Sequence, residues 1–195
     1  MSDLYELLKT QAICEAEYPC VLFHGTPVNF NQVDISKSNT YTDFGKGFYL
    51  TSILEQAVEW AGRKRMERVA VNNWKSLKNF PLTYVLKFEL SLEKLKKMNY
   101  KIYEGYTTEW LKKVSTCRDR RLSKQNQAQQ EFDVTIGPMA DNHVGEVLAK
   151  YWLGEYDEEE TLQMIQFRKP NMQIAFHTER SLEAIHFINN TLQIQ

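Results

Sequence analysis

The chain has 195 residues, 43% of them hydrophobic and 12% aromatic, which is enough apolar material for a core and argues against disorder. Its 24 basic and 25 acidic side chains leave a net charge of -1, so whole-protein attraction to nucleic acid or an anionic membrane is not expected, although a local basic patch is compatible with it. No run approaches the roughly 18 apolar residues of a membrane helix, and Met1-Ser2-Asp3-Leu4 lacks the basic and apolar regions of a signal peptide. The three cysteines, Cys14, Cys20 and Cys117, are odd in number and share no CxxC spacing. That pattern predicts inert thiols in a reduced, soluble, cytoplasmic protein.

In chain order, residues 3–13 read as a short amphipathic helix capped by Ser2 or Asp3, an appendage over residues 1–17 to a single domain over 18–195. Cys20-Val21-Leu22-Phe23, after Pro19, reads as a buried strand. Residues 26–43 are rich in Thr, Asn, Ser and Asp and read as a long loop. Gly45 and Gly47 bracket a turn into a brief strand, Phe48 to Thr51. Ser52 and Glu55 form a capping box that opens a helix to about residue 69, with Ile53, Ala57, Trp60 and Ala61 toward the core. Residues 83–90 read as a strand, and Ser91 caps a short Lys-rich helix. Residues 106–130 read as polar helix, and 132–138 as a strand ending in a turn. Residues 143–153 and 157–167 read as helices, the second acidic at its start as the helix dipole favours. Met172 to His177 is a strand, and 181–190 is a closing helix or strand. Short strands spread among helices without βαβ alternation give the fold class α+β.

Two short segments carry chemistry. Phe23-His24-Gly25-Thr26 is followed about 20 residues on by Phe44-Gly45-Lys46-Gly47-Phe48-Tyr49-Leu50-Thr51. Tyr49 can lie against a cationic ring, an attraction of roughly 0.5–2 kcal/mol. His24 can donate a hydrogen bond to a sugar hydroxyl, and the bare backbone at Gly25 lets a planar amide approach. The nicotinamide ribose of NAD+ combines these groups. A phosphate-loop reading of Gly45-Lys46-Gly47 fails, because the Walker spacing is absent.

The segment 44–60, FGKGFYLTSILEQAVEW, resembles the central motif of the poly(ADP-ribose) polymerase and diphtheria-toxin class of ADP-ribosyltransferases, whose signature is His-Tyr-Glu. From about residue 18 to 190 the chain resembles still more closely a bacterial family of unknown function grouped with ADP-ribosyltransferases. The resemblance implies a split β-sheet core with peripheral helices, and NAD+ as substrate. It implies a binding set of His24, Gly25, Thr26, Gly47, Phe48, Tyr49 and Trp60. Within that set His24 faces the adenosine ribose, Gly25 holds the nicotinamide amide, and Tyr49 and Trp60 sandwich the ring. Ala57 stands where the polymerases carry a serine for the amide. Gln173 stands at the position of the catalytic glutamate, so the implied catalytic set is His24, Tyr49 and Gln173. Glutamine keeps hydrogen bonding but cannot act as a base. Chain elongation is therefore in doubt, single transfer stays open to an already nucleophilic group or with a base elsewhere, and Gln173→Glu is expected to preserve or raise NAD+ cleavage.

The expected activity is mono-ADP-ribosyl transfer to a macromolecular acceptor, protein or nucleic acid, in a toxin or defence effector, with a cognate antitoxin or regulator as a further partner. An effector delivered without a classical signal peptide would look the same as a cytoplasmic protein. The rivals are an NAD+ glycohydrolase and a non-catalytic module that binds ADP-ribose or nucleic acid. Asp133, Asp141 and Glu146 are candidate alternative bases. Arg63, Lys64, Arg65 and Arg68 read as a solvated helix face or a guide for a nucleic-acid acceptor. His143, His177 and His186 have no metal-ligand spacing, so no metal is assigned.

Overall fold

The computed structural model describes residue 8 and residues 20–71, 82–119, 131–166 and 171–194. The chain folds as two compact units, each built from separate stretches: residues 1–33, 49–97 and 182–195 form the first, and residues 34–48 and 98–181 the second. Both combine helices with a sheet, so the fold is α+β.

The first unit holds a three-stranded antiparallel sheet in the order β1-β3-β7, with β1 at Cys20–Thr26, β3 at Thr83–Leu90 and β7 at Ile185–Ile194. β1 runs in unbroken register against β3, from Cys20↔Leu90 to Thr26↔Tyr84. Apolar residues at alternate positions put Leu22, Phe88 and Leu90 in the core, as a sheet with one covered face requires. Phe88 meets Phe187 edge to face at 5.6 Å. Helix α1 (Leu54–Val71) lies on this sheet with Ala57 and Ala61 buried. The approach is close because both sides lack bulk. A Cβ on Gly25 would stand 1.9 Å from the Ala57 carbonyl oxygen and 2.8 Å from the Ala61 nitrogen. At the start of α1, Thr51 Oγ1 accepts from the Ile53 N–H at 3.2 Å and donates to Gln56 Oε1 at 2.7 Å. Ser91 caps the short helix α2 (Leu92–Leu95) as expected.

The second unit contains β4 (Tyr100–Ile102), parallel to β5 (Val134–Pro138), which is antiparallel to β6 (Met172–Phe176). The sheet order is β2-β6-β5-β4, with β2 at Phe48–Leu50; Phe48 belongs to this unit. Every residue of β5 and β6 is buried. Helices α3 (Thr108–Arg118), α4 (Asn142–Leu153) and α5 (Glu158–Gln166) complete the unit. Thr107 and Asp141 cap the first two by accepting from N–H groups three residues on. Gly154 ends α4 at φ 74°, a left-handed conformation that favours glycine. Trp110 is fully buried and donates Nε1–H to the Pro138 carbonyl at 2.9 Å. Phe44 stacks on Tyr103 at 5.7 Å over Gly137, where a Cβ would meet both rings' side chains at 2.9–3.0 Å.

Several expectations change. The predicted helix at 3–13 lies outside the described residues except for Leu8, which is helical and buried. Of the helix expected over 106–130, only residues 108–118 are helical, and 120–130 lie outside the described residues. β4 was not expected, and the closing segment is a 3-10 turn at Arg180–Ala184 followed by β7. Trp60 does not face the core and is 41% exposed, because Ala57 and Ala61, one turn apart, already define the sheet-facing stripe of α1. Cys20 is disulfide-bonded, which corrects the expectation of a reduced thiol there, while Cys117 is free. Among the described residues no helix is long and apolar enough to cross a membrane.

Candidate functional site

In the first unit the candidate residues gather where two strands part. Phe23 and Thr51 exchange backbone hydrogen bonds of 2.7 and 3.0 Å, and this antiparallel pairing is a single isolated bridge. Continued by two residues, it would set Gly25 opposite Tyr49. Instead, the Tyr49 carbonyl receives the His24 imidazole at 2.8 Å. Successive residues of a strand turn their N–H and C=O to opposite edges, so Gly25 presents the same edge as Phe23, away from β3. Its amide and carbonyl therefore turn toward the Tyr49 side of β1, although Gly25 itself is buried. The missing Cβ of Gly25 answers to helix α1 rather than to a ligand, and only the backbone edge is left for recognition.

His24 is half-buried beside Phe30, with ring centroids 6.0 Å apart. A carbonyl oxygen only accepts, so Nδ1 carries the proton of this contact. Burial pushes the imidazole down from 6.5 to about 4, outweighing the bond to Tyr49, which raises it. The ring is neutral at physiological pH, and Nε2 is an acceptor. The expectation that His24 donates to a sugar hydroxyl is thereby reversed: in this tautomer a hydroxyl would donate to it. Tyr49 is half-buried. Thr26 is buried and its hydroxyl accepts from the Val28 N–H at 3.2 Å, which shapes the turn leaving β1. Trp60 carries Arg63 at 5.1 Å and Lys64 at 5.0 Å from its ring centroid, cations that a cationic nicotinamide would have to displace. Lys64 also pairs with Glu67 at 2.8 Å, and Arg68 donates to the Pro27 carbonyl at 3.0 Å, so this basic stretch is largely engaged on its own helix and loop.

In the second unit Gln173 sits on β6 and is 5% exposed. Its Nε2 donates to Asp43 Oδ2 at 2.7 Å. The same oxygen accepts from the Ala140 N–H at 2.7 Å, and Arg118 Nε lies 3.3 Å from Oδ1. Asp43 is 7% exposed. Burial raises its carboxyl above the usual range, against the opposing pull of Arg118, the Ala140 amide and Gln173.

Gly47 and Phe48 are buried nearby in sequence. A Cβ on Gly47 would meet His177 Nδ1 and the Phe176 carbonyl oxygen, each at 2.8 Å. His177 Nδ1 donates to the Lys46 carbonyl at 2.7 Å, and Nε2 accepts from the Thr135 hydroxyl at 3.0 Å. Burial brings this ring to about 4 as well. His177 thus braces the glycine turn, a role that no spacing in the sequence announced. Asp43 was equally missed, since its partner Gln173 lies 130 residues away.

The candidate bases have other occupations. Asp133 accepts from the Thr178 hydroxyl at 2.7 Å and the Asn99 amide at 3.1 Å, Asp141 caps α4, and Glu146 is exposed. Among the described residues no group of three or more His, Cys, Asp or Glu side chains is arranged to hold a metal ion.

The architecture is that of an α+β protein with two sheets, a glycine-edged opening on one strand and a buried carboxylate-amide pair on another. Residues 20–187 match the family model described as protein of unknown function (DUF3990), and the chain belongs to that family. No curated protein matches it.

Proposed function

We propose that the chain is an NAD+-dependent mono-ADP-ribosyltransferase-like enzyme acting on a macromolecular acceptor, protein or nucleic acid. The observation that carries this reading is the opening at Gly25. A primary carboxamide has one face that donates and one that accepts, and the Gly25 amide and carbonyl complement it on a single strand edge. Beside it stand a neutral imidazole able to accept from a ribose hydroxyl and a half-buried tyrosine able to stack on the attached ring. NAD+ combines an amide, a cationic ring and two riboses, and the family resemblance sets His24 against the adenosine ribose.

In the reaction, the bond between C1 of the ribose and the nicotinamide nitrogen breaks, and its electron pair leaves with nicotinamide, neutralising the ring. An acceptor nucleophile attacks C1 and loses its proton to solvent or to the acceptor itself. Positioning and electrostatic stabilisation supply the catalysis. The family resemblance assigns Gln173 to the ribose and keeps Thr26, Gly47, Phe48 and Trp60 in the binding set. A toxin or defence role in the cytoplasm or in a target cell, held in check by a cognate antitoxin or regulator, belongs to the same proposal. One observation favours a second reading, a non-catalytic ADP-ribose module: the residue at the glutamate position is neutral.

The test is nicotinamide release from NAD+, followed by mass spectrometry with and without cell lysate. Tyr49→Ala is expected to abolish release while leaving the circular dichroism spectrum unchanged, and His24→Ala to reduce it strongly. Release only with lysate identifies a transferase, and release without lysate a glycohydrolase. Binding of NAD+ or ADP-ribose without release supports the module. Full release from Tyr49→Ala overturns the site.

A further inference from the structure

The first unit carries a pocket of about 370 Å³, lined by Asn29, Phe30, Asn31, Phe187 and Asn190. Small-ligand sites start at roughly 300 Å³. The residues that line this one are uncharged: two aromatic rings and three carboxamides suit a neutral planar group with hydrogen-bonding edges. Both rings are half-buried, and each is braced by a neighbour. Phe187 meets Phe88 edge to face at 5.6 Å, and Phe30 lies 6.0 Å from the His24 ring. Asn190 Nδ2 donates to Asn29 Oδ1 at 2.6 Å. A carboxamide has one NH2 and one carbonyl oxygen, and this bond joins one of each. The pair therefore keeps one donor group and one acceptor oxygen, and exchanging the ends of both amides leaves the same two. A donor beside an acceptor complements the adenine edge, where N6–H2 adjoins N7.

The loop that supplies Asn29, Phe30 and Asn31 is tied to the basic end of helix α1, since Arg68 donates to the Pro27 carbonyl at 3.0 Å. Residues 63–68 hold four basic side chains, Arg63, Lys64, Arg65 and Arg68, against one acidic, Glu67. That stretch of helix rises about 9 Å, the span of two or three successive phosphates at roughly 3.4 Å each. The pyrophosphate of a dinucleotide concentrates its charge at one place and does not call for such a row.

We propose that the pocket holds an unpaired base of a single-stranded nucleic acid whose phosphates run along residues 63–68, and that this strand is the acceptor. The acceptor role rests on the NAD+ reading; the binding does not. Only an unpaired base frees its faces for the phenylalanines and its edge for the asparagines. Stacking attracts any base, and the asparagines favour adenine. Phe30 touches His24, so the strand lies beside the residues that would hold NAD+ and supplies both the nucleophile and the proton it loses.

The test is the fluorescence anisotropy of a labelled oligoadenylate of about 12 nucleotides, within the usual range of single-strand sites, against the same sequence in a duplex. The single strand is expected to bind more tightly. Phe187→Leu keeps apolar volume against Phe88 but loses the stacking face, and should weaken the single strand at least about 5-fold, the lower end of the cost of losing such a ring. Arg68→Gln keeps a donor for Pro27 but loses the charge, and should reduce the slope of log K against log salt by about 0.7. Should Phe187→Leu fail to fold, the salt slope of Arg68→Gln decides alone. Both variants should bind NAD+ as the parent does. Parent-like oligonucleotide binding by both variants overturns the proposal, as does equal affinity for the duplex. Displacement of the oligonucleotide by NAD+, with NAD+ affinity falling in step in Phe187→Leu, overturns it too, because the pocket then takes the adenine of the dinucleotide. With NAD+ present, a mass gain of one ADP-ribose on the oligonucleotide supports the acceptor role, and a gain only on lysate proteins overturns it. Oligonucleotide binding as expected in a protein that neither cleaves nor binds NAD+ supports the pocket and removes the NAD+ reading instead. Cleavage of NAD+ without oligonucleotide binding removes the pocket alone.

Discussion

The two units put their candidate residues to opposite uses. In the first, His24, Gly25 and Tyr49 stand at an opening in the backbone pairing, half-exposed or offering only main-chain groups. In the second, Asp43, Gln173 and His177 are buried and bonded to other groups of the same unit. An opening tolerates polar groups because water or a ligand can satisfy them, whereas a buried network must satisfy its own members or forfeit about 1–3 kcal/mol for each one left over. Substitutions in the first unit should therefore act on ligand recognition, unless they strike the packing behind the opening. Substitutions in the second should act on the fold and on chemistry together.

Gly25→Ala breaks the comparison hardest, because it joins recognition to packing within the first unit. The new methyl would lie 1.9 Å from the Ala57 carbonyl oxygen, a main-chain atom that no truncation of Ala57 can remove. Helix α1 has to move away from β1. The expected loss exceeds the ~1–3 kcal/mol of ordinary overpacking, measured as a drop in the denaturant midpoint. A variant as stable as the parent would show that α1 does not sit against β1 as described.

Gln173→Glu comes next and reverses the outcome expected from the sequence. Read by itself, a glutamate at this position restores a family residue. Beside Asp43 it sets a second carboxylate 2.7 Å from the first in a buried site. Two such charges cannot both ionise without a large penalty, and an uncompensated buried charge costs on the order of 3–5 kcal/mol. The folded-state pKa of the introduced glutamate is raised, so the penalty is full at neutral pH and recedes as pH falls, when a protonated carboxyl can again donate to Asp43. Thermal melts of the variant at pH 7 and pH 5 should differ in that direction. Full stability at pH 7 would remove the buried pair from the account.

This reversal marks where the sequence ceased to be readable. Strands with continuous or alternating apolar residues were legible: Cys20–Phe23, residues 83–90, the core of 132–138 and Met172–Phe176 all form strands. β4 was not, because three half-buried residues, Tyr100–Ile102, carry no period and depend on β5 for their pairing. The segment after residue 181 was ambiguous because its hydrophobic spacing suits a helix and a strand equally, and pairing with β3 decides it. The local letters around His24 and Tyr49 pointed to residues that do adjoin. They could not give the tautomer of His24, which depends on a carbonyl 25 residues away, nor the carboxylate behind Gln173. Trp60 was placed by its spacing from Tyr49, and the spacing holds no information on the two cations that its own helix brings to the ring.

The smallest effect tests a feature that the units share. His24 in the first and His177 in the second each give Nδ1–H to a backbone carbonyl, and burial brings each to about 4 from an ordinary 6.5. A histidine whose folded pKa is depressed contributes stability above pH 6.5 and loses it as pH falls toward 4, because over that window the unfolded chain takes up the proton and the folded one does not. Each ring can account for up to about 3 kcal/mol across the whole window, and roughly 2 kcal/mol by pH 5. The sign is opposite to that of Gln173→Glu. Amide exchange followed at β1 and at β6 separates the two contributions. His24→Gln should flatten the acid sensitivity at β1, and His177→Gln that at β6, where the loss of the bond to Thr135 also lowers stability at neutral pH. Acid sensitivity that persists undiminished in both variants would place the titrating groups elsewhere, and would leave the network around Asp43 to explain the pH dependence of the second unit.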